Sequence, residues 1–311
     1  MTTGGCMYSR RRFLQAAGGA LAASALFPRI LSAADGKGID VSVAAGATPA
    51  ERARKAVELL GGMKTFVSRG EVIVLKPNIG WDRTPEQAAN TDPEFVVAVA
   101  EMCPEAGAKS VRVFDCTCND PRRCYVSSGI KEAVERFARK NRVEDALRIY
   151  HVEDRKFVRT VLPNALAIKE WDLYRDALDA DKIVNLPIAK HHSLAGITLG
   201  LKNMMGIMGG NRGQIHFRLS ECLVDIHRRL PVALTVIDAG RVLMRNGPSG
   251  GNLADVKSFG NAFASRDVVA VDVVAAERIF QRSARDVPHL AKAMESGLGV
   301  SSVAQIRRVE G

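Results

Sequence analysis

Aromatic side chains are scarce in this 311-residue chain, at 5%, and no segment interleaves them with Lys and Arg. That removes the stacking platform on which single-stranded nucleic acid is held, and the basic residues are spread among acids instead of forming a footprint. Nucleic acid is therefore not an expected partner. Also missing are the ~20 consecutive apolar residues of a spanning helix, any repeat of fixed period and any low-complexity tract. With 47% apolar and 25% charged residues the composition is globular, and the length suits one large domain or two smaller ones.

The most legible absence is local. Residues 1–34 contain four Arg (Arg10, Arg11, Arg12, Arg29) and no Asp or Glu, so the net charge of +10 falls to +6, 40 against 34, over residues 35–311. Within that start, Ser9-Arg10-Arg11-Arg12-Phe13-Leu14-Gln15 precedes a weakly apolar Ala/Gly/Leu run and then Ser32-Ala33-Ala34. A basic region, a short apolar region and a small-residue cleavage site make an export signal. It resembles the twin-arginine signal, Ser/Thr-Arg-Arg-x-Phe-Leu-Lys, with Gln15 as the departure. The resemblance implies a periplasmic protein, the twin-arginine translocase as partner during export, and folding before export, often around a cofactor. No Cys stands at the cleavage site, which argues against a lipid anchor, and no stable membrane anchor is expected.

After residue 35 strand and helix patterns alternate. Strands are expected at 39–43, 71–75, 110–115, 147–152, 182–186 and 234–238. Helices are expected at 49–67, 92–102, 127–140, near 198–208 and at 267–281. Such alternation predicts an α/β fold, a mainly parallel sheet with helices on both faces, as one body or as two lobes around a cleft. Lys76, Asn78, Asp115, Cys116, Asn185, His191, His192 and Asp238 all fall at or just after carboxyl ends of these strands, where open α/β sheets bind ligands.

Two segments carry dense chemistry. Asp115-Cys116-Thr117-Cys118-Asn119-Asp120-Pro121-Arg122-Arg123-Cys124 places three cysteines in a loop after a strand. Cys116, Cys118 and Cys124 suit an iron–sulfur cluster or zinc, with Cys103 or Cys222 as a fourth ligand and Arg122 and Arg123 favouring thiolates. In an oxidising compartment Cys118 and Cys124 equally suit a disulfide. Cys6 departs with the signal and leaves five cysteines. The second segment runs from Lys190-His191-His192 to Lys202-Asn203. His191 and His192 are candidate acid/base groups or metal ligands, and Lys202 is a candidate anion binder or nucleophile. His216 and Arg218 follow, while Met204, Met205 and Met208 read as core.

Val74-Leu75-Lys76-Pro77-Asn78, Gly107-Ala108-Lys109, Leu199-Gly200-Leu201-Lys202-Asn203-Met204-Met205-Gly206, Asp238-Ala239-Gly240, Asn246-Gly247-Pro248, Ser265-Arg266-Asp267 and Val271-Asp272 together resemble the domain of unknown function 362 family. The resemblance covers most of residues 35–311 and implies a fold and an iron–sulfur association, but no reaction. A separate ferredoxin module is absent from the sequence. The stretch His192-Ser193-Leu194-Ala195-Gly196 through Gly200-Leu201-Lys202 also resembles nickel-pincer lactate racemases. There the matching Lys carries the pincer nucleotide, the matching His contributes to metal ligation, and Arg83 in Asp82-Arg83-Thr84-Pro85 matches a phosphate-handling loop. Leu199 stands where those enzymes have Gly. Lys76, Asn78, Arg83, Asn203 and His216 complete the candidate cofactor-binding set.

Three readings follow. One is an exported redox or cofactor-dependent enzyme holding a metal or iron–sulfur cofactor, with an unidentified small-molecule or redox partner. Another is a cofactor-free periplasmic binding or assembly protein with a Cys118–Cys124 disulfide. The third is a racemase-like isomerase with a nickel-pincer cofactor at Lys202.

Overall fold

Residues 72–77 read Val-Ile-Val-Leu-Lys-Pro, a run that belongs where both faces of a strand are covered. The computed structural model, which describes residues 39–311, places it there. The expected signal at 1–34, with Arg10, Arg11, Arg12 and Cys6, lies outside the described residues.

The described residues begin with β1 (Ile39–Ala45), α1 (Pro49–Glu58), β2 (Val72–Pro77), α2 (Pro93–Glu105), β3 (Ser110–Val113), α3 (Pro121–Ser127), α4 (Ile130–Asn141) and β4 (Leu147–Ile149). They continue with β5 (Phe157–Val161), β6 (Glu170–Tyr174), α5 (Arg175–Leu178), β7 (Lys182–Leu186), β8 (Ile188–His192), β9 (Gly196–Thr198) and α6 (Gly200–Asn203). They end with α7 (Leu219–Arg229), β10 (Val232–Leu243), β11 (Val256–Ser265), α8 (Val268–Phe280), α9 (Pro288–Glu295) and β12 (Ile306–Glu310).

The main sheet has the order β12-β1-β11-β10-β7-β2-β3-β4. Its centre, from β10 to β4, is parallel throughout, and β11 runs against both of its neighbours. The short β8 pairs with β10 and turns back into β9, while β5 and β6 form a separate antiparallel pair. Alternation along β2 sorts the core into two layers. Ile73 and Leu75 belong to the core layer that holds Val57, Phe95 and Val134 of α1, α2 and α4, whereas Val74 belongs to the layer that holds Leu223 and Val271 of α7 and α8. The expected α/β fold, mainly parallel with helices on both faces, is the one observed.

Several boundaries differ from expectation, each for a local reason. The helix expected over 49–67 stops at Glu58, because Gly61 and Gly62 take φ of 92° and 82°, which only glycine adopts freely. The helix expected over 127–140 is α4, which starts at Ile130 behind Gly129 with φ of 70°, and a short helix that was not expected, α3, precedes it. The one expected near 198–208 has a single α-helical turn, α6, and then continues as a 3₁₀ turn.

One topological feature positions the site. After β2 the chain adds β3 and β4 on one side, then returns to place β7 on the other side of β2. At such a reversal the flanking connections diverge, and a crevice opens outside the carboxyl ends of the strands.

Candidate functional site

A cavity of about 470 Å³ occupies that crevice. Lys76 and Asn78 enter it from the end of β2, Asp115, Cys116 and Cys118 from the loop after β3, and Lys190 and His192 from β8. Lys202, Asn203 and Gly206 come from α6 and its 3₁₀ continuation, and Arg212 and His216 from the segment before α7.

Asn203 ties these elements together. Its Oδ1 accepts from Lys76 Nζ (3.1 Å) and Asn78 Nδ2 (3.0 Å), and its Nδ2 donates to Lys76 O (3.0 Å) and Asn185 Oδ1 (2.8 Å). Lysine has no acceptor, so the amide can face only this way. Asn185 lies opposite Lys76 in the β2–β7 register and donates to Gly200 O (3.0 Å), anchoring the start of α6. The backbone N–H groups of Gly200 and Leu201 donate to the buried carboxyl of Asp272 at 2.8 Å each.

Lys76 is fully buried, and its ammonium finds three partners: Asp115 Oδ1 (2.8 Å), Pro77 O (2.8 Å) and Asn203 Oδ1. Burial pulls its pKa down and Asp115 pulls it back up. The other Asp115 oxygen accepts from Ile79 N (2.7 Å). Gly206 passes so close to this ion pair that a Cβ there would overlap both groups.

Among the described residues Asp115 is the one carboxylate that lines the cavity, and Lys76 already neutralises it. Three further cations then remain. Lys190 Nζ donates to Ala89 O (2.5 Å) and Asn78 Oδ1 (3.2 Å), and burial pushes its pKa down to about 7. Lys202 is pushed down to about 8 by burial, and its Nζ touches only Met205 Sδ (3.1 Å) and His216 Nε2 (3.3 Å). Arg212 donates to the carbonyls of Met205, Cys116 and Thr117 and lies 3.4 Å from Cys118 Sγ. Desolvated cations without an anionic partner form an anion site.

Hydrogen bonds fix both histidine tautomers. His216 Nδ1 lies 2.9 Å from Gly213 O and so carries the proton, which leaves Nε2 as the acceptor facing Lys202. His192 is the reverse, since its Nδ1 accepts from Leu194 N (3.1 Å) and Ala195 N (3.2 Å). Its Nε2 therefore carries the proton and is a donor. Burial, and next the charge of Lys202, push the His192 pKa down to about 2, so the ring stays neutral.

The structure gathers Lys76, Asn78, His192, Lys202, Asn203 and His216 of the sequence-derived set in one cavity, with Cys116 and Cys118 in its wall. It separates the rest. His191 was expected in a polar loop beside His192, but β8 is a strand whose alternation sends adjacent side chains to opposite faces. His191 accepts from Gly247 N (3.1 Å) instead and does not line the cavity. Arg83 clamps a loop, donating to Ser249 O and Gly250 O. Asp238 holds Asp92 N and Gly240 N away from the cavity, and Arg218 reaches Leu166 O. Lys190 and Arg212 were not singled out. For Lys190 the usable signal was period two, which pairs it with His192.

The implied cofactors fit unequally. Cys116, Cys118 and Cys124 are free thiols, but Cys124 is buried on α3 against Gly80 O and does not line the cavity. Among the described residues no three Cys, His, Asp or Glu side chains stand in a metal-binding group. For a nickel-pincer nucleotide Lys202 fits as an anchor. His192 does not fit as a ligand, because its cavity-facing nitrogen bears the proton.

Comparison with known proteins matches residues 73–277 to the family described as domain of unknown function (DUF362). A thylakoid-associated protein of Synechocystis sp. is 30% identical over 253 residues, 79% of this chain and 74% of that protein. Among solved structures, the lactate racemase apoprotein of Thermoanaerobacterium thermosaccharolyticum is similar at TM-score 0.42 and 11% identity, over 72% of this chain and 53% of that one. A Thermotoga maritima protein is similar at TM-score 0.38 and 13% identity, over 66% and 54%. The chain thus spans about half the length of these two structures.

Proposed function

The chain belongs to the DUF362 family, and from that premise we propose that it is an exported protein whose strand-end cleft binds an anionic small molecule, as substrate or organic cofactor. The observation that carries this reading is the charge of the cavity. Lys190, Lys202 and Arg212 converge on it with no carboxylate to meet them beyond Asp115, which Lys76 already holds. A carboxylate or phosphate there would accept from Arg212, Lys202 and His192 Nε2, and its charge would raise the depressed lysine pKa values. The cavity, about 470 Å³, has the size of a small-ligand site.

Native mass spectrometry of the protein, purified without oxygen, tests the reading. We expect the wild type to carry an anionic compound at one per chain and Arg212→Gln to lose it. A wild type whose native and denatured masses agree, and which no anion stabilises, would overturn the reading. Export rests on the arginine-containing signal at 1–34. Replacing Arg10 and Arg11 together by Lys is expected to leave the precursor in the cytoplasm, and undiminished export would remove that part.

A further inference from the structure

The three lysines of the cavity differ in what they touch. Lys76 is matched by a carboxylate and two amide oxygens, and Lys190 by two amide oxygens. Lys202 alone reaches no oxygen. Its Nζ meets a thioether and the unprotonated nitrogen of His216, although only 8% of the residue is exposed. A buried ammonium held so poorly is costly. A neutral amine in the same place is not, and an amine beside a lone-pair nitrogen is a nucleophile beside its base. Lys190 and Arg212 stand ready in the same cavity for an anionic group on the reacting molecule.

Building on the anion-binding reading above, we propose that Lys202 condenses with the carbonyl carbon of an anionic oxo compound, such as a 2-oxo carboxylate or a phosphorylated aldehyde, and holds it as an imine. The nitrogen lone pair forms the C–N bond while the C=O π pair moves to oxygen. A proton from nitrogen passes through His216 Nε2 to that oxygen. The second proton of the nitrogen then passes by way of His216 Nε2 to the hydroxyl, which leaves as water as the C=N bond forms, and no oxidant or reductant is consumed. Hydrolysis reverses each step.

The test uses the full chain and two probes of similar size. Oxalate carries the anionic groups without a reactive carbonyl, and glyoxylate carries both. With glyoxylate and cyanoborohydride at neutral pH, peptide mapping is expected to find N-carboxymethyl-lysine at Lys202 forming about tenfold or more faster than at the exposed Lys140, because burial favours the neutral, nucleophilic amine at Lys202. His216→Asn is expected to slow that labelling about a hundredfold, as loss of a proton-transfer group does, a far larger effect than it has on oxalate binding. Labelling at Lys190, or labelling no faster at Lys202 than at Lys140, overturns the imine and leaves the anion site standing if oxalate still binds. Failure of both probes overturns both.

Discussion

The side-chain oxygen of Asn203 lies 3.1 Å from the ammonium of Lys76, 127 residues away in the chain, and this contact joins α6 to the central strand β2. Asn203→Leu keeps the volume but takes the partner from Lys76 O, Asn78 Nδ2 and Asn185 Oδ1, and one of three partners from Lys76 Nζ. At ~1–3 kcal/mol for each unsatisfied group, with partial relaxation, the loss is expected to be about 3 kcal/mol or more. Urea unfolding should show a lower midpoint at unchanged slope. A loss under about 1 kcal/mol would mean that the network is not the clasp described.

Gly206 is required for a different reason. A methyl group there has to displace the Lys76–Asp115 pair, whose members are 0% and 2% exposed. Gly206→Ala is expected to cost about 3 kcal/mol or more, the range for disrupting a buried ion pair. Thermal unfolding of the variant checks this, and an unchanged midpoint would contradict the packing.

The fold was legible where the chemistry is local. Apolar runs marked β2, β7 and β10, and Asp92 and Asp267 announced the helices that they cap. Residue spacing brought Lys202 and His192 forward as candidates, and the family resemblance added Asn203. It did not show that Lys190 and not His191 faces the cavity, because that turns on whether 188–192 is a loop or a strand. Arg212 was hidden in a 3₁₀ segment without period, and the function of Asp272 depends on a partner 72 residues away.

His227 gives a pH prediction. Buried, with its Nε2 3.1 Å from Leu201 O, it has its pKa pushed down to about 4 from 6.5. A histidine depressed in the folded state adds stability above the unfolded pKa, and that stability is lost as pH falls through the folded value. Asp272, raised to about 7 by burial, works in the opposite sense, because its stabilisation is present at low pH and lost as pH rises. The wild type thus shows partial cancellation. His227→Gln removes only the histidine effect, so the stability of the variant relative to wild type should rise by about 3 kcal/mol from pH 6.5 to pH 4, the free energy of that shift. Parallel urea curves across this range check it, and a constant difference would contradict it.

The cysteines predict an order of reactivity. Cys118 is exposed, Cys116 is partly buried with its thiol pKa raised by burial, and Cys103, Cys124 and Cys222 are buried with values pushed to about 12, 11 and 11. Timed alkylation with peptide mapping should label Cys118 first, Cys116 slowly, and the other three only on unfolding. Recovery of a Cys118–Cys124 disulfide from the exported protein would contradict this arrangement.

The charge of the cleft is tested most directly by calorimetric titration of oxalate into the wild-type protein and into Lys202→Met and Arg212→Gln at fixed ionic strength. Binding at one site per chain is predicted, weakened about tenfold or more in each variant, as expected for losing one charge-assisted hydrogen bond. No binding to the wild type, or equal affinity in all three proteins, would contradict the account.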